Sequence, residues 1–188
     1  GYEPRPGEPF VFAQRNVSTV KQLTGITGIL GTMVGGPGTS AIGVLGAGQV
    51  DASGAVNSTR TADGRFLVGS GGANDIVTTA QEVVLTVTHG QGRLVERVPY
   101  VTAPGSRVGA LVTTKAIFRR GQGERLELAG RLPSPGAPEG ASVEEIAAGC
   151  GWEVAADGEV PVEPPPSAEE LARLRAFDPR RNFLGAAE

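Results

Sequence analysis

The sequence predicts an α/β fold with a mixed, mostly parallel central sheet and flanking helices. Three observations carry that prediction. Strands rich in Val, Ile and Leu alternate with short helices and outnumber them. One stretch, Ala41–Val50 (AIGVLGAGQV), is apolar at successive positions, as a strand buried on both faces of a parallel sheet would be. Two helical stretches each open with a Ser followed three residues later by a Glu, the pattern of a capping box.

The elements follow in order. Residues Gly1–Pro9 (GYEPRPGEP) hold three prolines and read as an extended lead-in, and the start without Met suggests a processed chain or a piece of a longer one. Ser18–Leu30 spaces Val20, Leu23, Ile26, Ile29 and Leu30 for a helix with Ser18 as its N-cap, weakened by Gly25 and Gly28. Met33–Ser40 is a Gly/Pro loop, Ala41–Val50 the apolar strand, Asp51–Gly54 a turn and Ala55–Thr59 a short partner strand. Arg65–Val68 reads as a strand ending in the loop Gly69–Asp75, and Ile76–Ala80 as a helical turn. Glu82–His89 (EVVLTVTH) is the clearest strand, because its β-branched side chains suit a pleated surface. Strands are further expected at Leu94–Val98, Ala110–Phe118, Arg125–Leu128 and Trp152–Val154. Capped helices are expected at Ser142–Ala148 and Ser167–Phe177, joined through the Pro-rich stretch Pro161–Pro166. The chain thus divides into a lead at 1–9, a main domain at 10–160, and a linker with a C-terminal helix at 161–188.

Composition excludes several functions. Cys150 and His89 are the only cysteine and histidine among 188 residues, so no internal disulfide, Cys-based zinc site or His–His metal pair can be built, and no metal is expected. A net charge of −3 and few aromatics leave neither the basic footprint nor the stacking platforms of a nucleic-acid binder. No apolar run has the length of a membrane span and no signal peptide is visible. With a single unpaired cysteine, this fits a cytoplasmic protein.

The loop Gly69-Ser-Gly-Gly-Ala-Asn-Asp75 is the most informative segment. Such a loop turns several backbone N–H groups toward one point and lets a ligand approach without Cβ interference. It would cradle a phosphate, donate to a developing oxyanion, or serve only as a turn. It lacks the Lys-Ser/Thr of a nucleotide P-loop. Gln49 and Asp51 close an apolar strand, where α/β folds place ligands; the plainer reading is a turn-capping Asp and a solvated Gln. His89, alone at a strand end, reads first as a hydrogen-bonded structural residue and second as a base. Cys150, between two glycines and with no His near it in sequence, reads as a packing residue before a nucleophile.

Taken together, Leu45-Gly-Ala-Gly-Gln-Val-Asp51, Gly54-Ala-Val-Asn-Ser-Thr59, Gly69-Ser-Gly-Gly-Ala-Asn-Asp75, Tyr100-Val-Thr-Ala-Pro-Gly105 and Phe177-Asp-Pro179 resemble, in order, the β-subunit of family I CoA-transferases, especially the glutaconate CoA-transferase branch. The resemblance runs from about Leu45 to about Leu184 and assigns 10–160 to a CoA-transferase β-subunit-like domain. It implies an α/β sandwich with a mixed sheet and an α-subunit partner in a hetero-oligomer, α2β2. It further implies an acyl-CoA site between subunits, with a coenzyme A thioester and a carboxylic acid as substrates and no permanently bound cofactor. In the family a β-subunit glutamate attacks the thioester, and an acyl-glutamyl anhydride and then a glutamyl-CoA thioester follow. By position, the backbone of Gly69, Gly71 and Gly72 would stabilise the oxyanion, and Gln49, Asn57, Ser70 and Asn74 would bind substrate or CoA.

The family's glutamate lies in a Glu-Ser-Gly or Glu-Asn-Gly stretch on an upstream strand. Here only Glu3 and Glu8 precede Gly46, and each is followed by proline. The nucleophile is therefore expected outside these 188 residues, on a longer form of the chain or on a partner. Otherwise the chain is a relative that decarboxylates a CoA thioester or hydrolyses a carbon–carbon bond, or a non-catalytic structural subunit.

Overall fold

A computed structural model describes Val17, Val20 and residues 22–181, apart from 122, 135, 136, 157 and 180. The expected lead at 1–9 and the Ser18 cap lie outside these residues. The chain divides into two units, one of residues 26–164 and one of 1–25 with 165–188. The site described below belongs wholly to the first.

That unit is built on a five-stranded sheet in the order β1-β4-β5-β6-β7, with strands β1 (Ile42–Gly46), β4 (Glu82–Val87), β5 (Val108–Thr113), β6 (Ala116–Arg120) and β7 (Leu126–Arg131). β1–β4 and β4–β5 are parallel; β5–β6 and β6–β7 are antiparallel. The sheet is mixed, as expected, with a parallel half and an antiparallel half. One row of side chains crosses all five strands in register: Leu45, Leu85, Leu111, Phe118 and Leu128. Leu85, Leu111 and Phe118 are fully buried, and each such side chain stabilises the fold by roughly 1.5–3 kcal/mol through the water it sheds. Trp152 meets Phe118 edge-to-face, with centroids 5.9 Å apart.

A small two-stranded sheet pairs β2 (Gln49–Val50) with β3 (Val56–Asn57) in antiparallel register. Single bridges extend it to Leu94 on one side and Ala103 on the other. Helix α1 (Ala73–Thr79) returns the chain from this layer to β4. It packs on β1 at Gly43, where a Cβ would lie 2.5 Å from Ile76 Cγ2. A π-helical segment, Thr27–Val34, lies against α1. Helix α2 (Val143–Ala148) buries Ile146 and carries the expected capping box: Glu145 N–H donates to Ser142 Oγ at 3.1 Å and Ser142 N–H to Glu145 Oε2 at 2.8 Å. In the other unit, helix α3 (Ala168–Phe177) has the same box at Ser167 and Glu170.

Several expected elements differ. The helix at 18–30 begins only at Ile26 and is π-wound through Val34, with residues 22–25 irregular, so Met33 and Val34 leave the expected loop. The apolar stretch 41–50 is two strands in two sheets, parted at Ala47-Gly48, and β1 lies at the sheet edge with Ile42 and Val44 exposed instead of in its interior. Ala110–Phe118 is a hairpin, not one strand. Thr113 Oγ1 accepts from the N–H of Lys115 and Ala116, a side-chain turn that carries no Gly or Pro signal. Arg65–Val68 is reduced to one bridge, Phe66 with Arg60, and Leu94–Val98 to the bridge at Leu94. Trp152–Val154 forms no strand. Among the described residues no helix is long and apolar enough to cross a membrane.

Candidate functional site

The crossover from the small sheet to β4 carries the candidate site. Val68 leads into Gly69-Ser70-Gly71-Gly72, and Gly72 is the N-cap of α1. A turn closes the loop, with Ala73 N–H donating to Ser70 O at 3.0 Å. Gly71 sits at φ +53°, the left-handed region in which a Cβ is strained, so this position needs glycine. Gly69, Ser70 and Gly71 are exposed, and a Cβ at Gly69 or Gly71 would meet nothing within 4 Å. Among the described residues, the N–H groups of Gly69, Ser70, Gly71 and Gly72 donate to no protein acceptor. Four such amides in a short loop at a helix start are groups that a ligand oxyanion can satisfy.

The polar residues assigned to the site take different positions. Asn74 lies in the first turn of α1 and donates from Nδ2 to Thr102 O at 3.2 Å, tying the helix start to the strand-like segment at Ala103. Ser70 Oγ reaches only Gly71 O, at 3.4 Å. Asn57 is fully buried. Its Nδ2 donates to Arg60 O at 2.6 Å and to Gln49 Oε1 at 2.9 Å, and its Oδ1 accepts from the N–H of Thr59 and Arg60. Asn57 is thus a positioning residue that shapes the turn after β3 and orients Gln49. Gln49 Nε2 donates to Gly92 O at 3.3 Å. These contacts join Gln49 to Asn57, and separately anchor Asn74 beside the glycine loop.

Three residues weighed in the sequence are structural. Asp51 is buried; Oδ1 accepts from Ser53 N–H, Ser53 Oγ and Ala55 N–H, and Oδ2 from Val98 N–H at 3.2 Å, so it caps the β2–β3 turn. His89 bridges three segments, with Nε2 donating to Ile146 O at 2.9 Å and Nδ1 facing Thr113 Oγ1 at 3.0 Å. Burial holds its pKa below the usual imidazole value, with the hydrogen bond to Ile146 opposing and Lys115 adding to the depression. Gly149 makes this possible, since a Cβ there would lie 2.5 Å from the imidazole. Burial pushes the Cys150 thiol up to about 11, which keeps it protonated and inert.

Sequence reasoning missed Phe66, Leu67 and Val68 as surface residues. They run exposed into the loop, and exposed Tyr100 and Val101 precede the Thr102 that Asn74 holds. Their apolar character reads as strand in the sequence, and only their exposure marks a surface apt for covering. Arg60 stands 5.7 Å from the Tyr100 ring centroid.

The chain is 30% identical over 166 residues to the β-subunit of glutaconate CoA-transferase from Acidaminococcus fermentans, covering 76% of this chain and 59% of that one. It is 28% identical over 158 residues to the β-subunit of 3-oxoadipate CoA-transferase from Pseudomonas knackmussii, covering 74% and 59%. It therefore spans about 59% of the length of these relatives. In structure it is similar to glutaconate coenzyme A-transferase of Acidaminococcus fermentans, with a TM-score of 0.66 and 25% identity over 78% of this chain and 62% of that one. It is also similar to the decarboxylase AibA/AibB, with a TM-score of 0.65 and 26% identity over 77% and 59%. No protein-family model matches the chain.

Proposed function

We propose that the chain, similar in sequence and fold to the β-subunits of glutaconate and 3-oxoadipate CoA-transferases, is a β-subunit of the family I CoA-transferase type and forms part of an acyl-CoA enzyme. Its reaction would transfer CoA between carboxylic acids, at a site shared with an α-subunit. The observation that carries this reading is the Gly69–Gly72 loop, whose four amides have no acceptor among the described residues. As a carboxylate attacks a thioester carbonyl, charge collects on the carbonyl oxygen, and fixed N–H donors stabilise that charge without reorganising. A glutamate carboxylate would displace the CoA thiolate to give an acyl-glutamyl anhydride. The thiolate would then attack the glutamyl carbonyl and release the acid, leaving a glutamyl-CoA thioester for the second acid. Ser70 and Asn74 flank the amides, Gln49 is held by Asn57, and the three are proposed to meet substrate or CoA. The single unpaired cysteine, Cys150, supports a cytoplasmic setting for this reading.

The test combines the full chain with its α-partner, an acyl-CoA and a free acid. Exchange of CoA between acids is expected, together with a borohydride-trapped glutamyl-CoA thioester located by peptide mass spectrometry. A complete complex that exchanges CoA without any trapped ester overturns the glutamyl route. A second reading is favoured by the similarity to the decarboxylase AibA/AibB on the same scaffold. It predicts loss of CO2 with CoA still attached to the product.

A further inference from the structure

We infer that Thr102 is a positioning residue for the Gly69–Gly72 loop, one that holds both stems of the loop at once; the inference rests on the oxyanion reading of that loop. Thr102 is buried and belongs to the strand-like segment beside β3, where its N–H donates to Val56 O at 2.8 Å. Its carbonyl accepts from Asn74 Nδ2 at 3.2 Å, on the side where the loop enters α1. Its Oγ1 accepts from Ser58 N–H at 2.9 Å and lies 2.9 Å from Thr59 Oγ1. The carbonyl of Thr59 accepts from Leu67 N–H at 2.7 Å, on the side where the chain enters the loop. One buried residue thus reaches the entry stem through Thr59 and the exit stem through Asn74.

The loop has few other holds. Among the described residues, no hydrogen bond joins residues 68–73 to any segment but the helix they open. Leu67 and Asn74 are both exposed, so neither side chain is fixed by burial. The direction of the loop amides is therefore set by the hydrogen bonds at its stems. Thr102 is suited to set it, because a buried hydroxyl cannot trade its partners for water without cost. Valine has the shape of threonine and makes none of the hydroxyl contacts, whereas serine keeps them. Donors preset toward a developing oxyanion lose most of their effect when displaced, and about 1 Å of misplacement costs about a hundredfold in rate. The amides act as charge builds on the carbonyl oxygen. Loosened stems should therefore slow the chemical step and leave substrate binding nearly unchanged.

The complex of the full chain with its α-partner is mixed with acyl-CoA alone, and the released acid is followed. One acid leaves each competent site as the glutamyl-CoA thioester forms, so the amplitude counts sites and the rate reports the step. Thr102→Val should keep the amplitude and slow the rate by roughly tenfold to a hundredfold. Thr102→Ser should stay within about threefold of the native rate. In the full chain without substrate, Thr102→Val should speed hydrogen exchange at the Leu67 amide by roughly tenfold. If Thr102→Val fails to fold, Thr59→Val cuts the same link from its half-buried end and should slow acid release by roughly threefold to tenfold. A native rate in the folded variants overturns the inference. So does an unchanged Leu67 amide, a slow rate shared by Thr102→Ser, or a lost amplitude at native rate. Gly71→Val, run beside them, separates the two failures: a native rate there, or no acid released by the native complex, overturns the oxyanion reading and this inference with it.

Discussion

Gly69 and Gly71 separate two kinds of glycine that look alike in sequence. A methyl at Gly69 meets open space at an ordinary φ, whereas any side chain at Gly71 must take φ +53°. Gly71→Val should therefore cost about 1–3 kcal/mol of strain or displace the loop. Misplaced amides should lower acyl-CoA turnover by roughly a hundredfold. Gly69→Ala should leave the melting temperature unchanged, so any fall in turnover reports a ligand within van der Waals reach of that Cα. Unchanged turnover in both variants would separate the loop from the reaction. At His89 the folded pKa lies below that of the unfolded chain, so the unfolded state binds more protons as pH falls beneath about 6.5. The contribution of His89 is complete above that pH and drains away as the pH drops toward the folded value. Urea midpoints at pH 7.5 and 5.5 should show that loss, and His89→Gln should shrink the difference between them. Both roles were partly legible: His89 as a strand-end structural residue and Asp51 as a turn cap follow from residue type. Their partners, 57 residues away for His89 and 47 for Asp51, do not.

At the scale of elements, a guanidinium stitches the sheet to the loops above it. Arg120 of β6 donates from Nε to Val108 O at 2.8 Å, from Nη2 to Ser53 O at 3.0 Å, and also to the carbonyls of Gly105 and Glu124. A lysine has one nitrogen and cannot span these acceptors. Arg120→Lys should thus destabilise the chain by about 2–4 kcal/mol in urea denaturation; a loss below about 0.5 kcal/mol would show that water replaces the contacts. The capped helices α2 and α3 were fully readable, because a capping box is closed by residues three apart. The β5–β6 hairpin was not, because its turn depends on the Thr113 hydroxyl and not on Gly or Pro. The break between β1 and β2 was equally hidden. The stretch is apolar almost throughout, and what parts it is a change of partners from β4 to β3.

Across the whole of the 26–164 unit, the parallel strands and the glycine loop are organised around surfaces the described chain leaves open. Phe66, Leu67, Val68, Tyr100 and Val101 expose apolar area beside the loop that water disfavours. Adding an α-partner should protect amides at 66–72 and 100–101 from hydrogen exchange, and protection confined to other segments would locate the shared site elsewhere. The class of fold, the capped helices, the strand at Glu82–Val87 and the likeness to CoA-transferase β-subunits were all readable from the order of residues, because they rest on local periodicity and on short motifs in series. Folding was needed to show that Asn57 and Asp51 are buried scaffolding and that the amides of Gly69–Gly72 face no acceptor among the described residues. Those outcomes depend on burial and on pairing between residues far apart in the chain, and neither is encoded within the span of one motif.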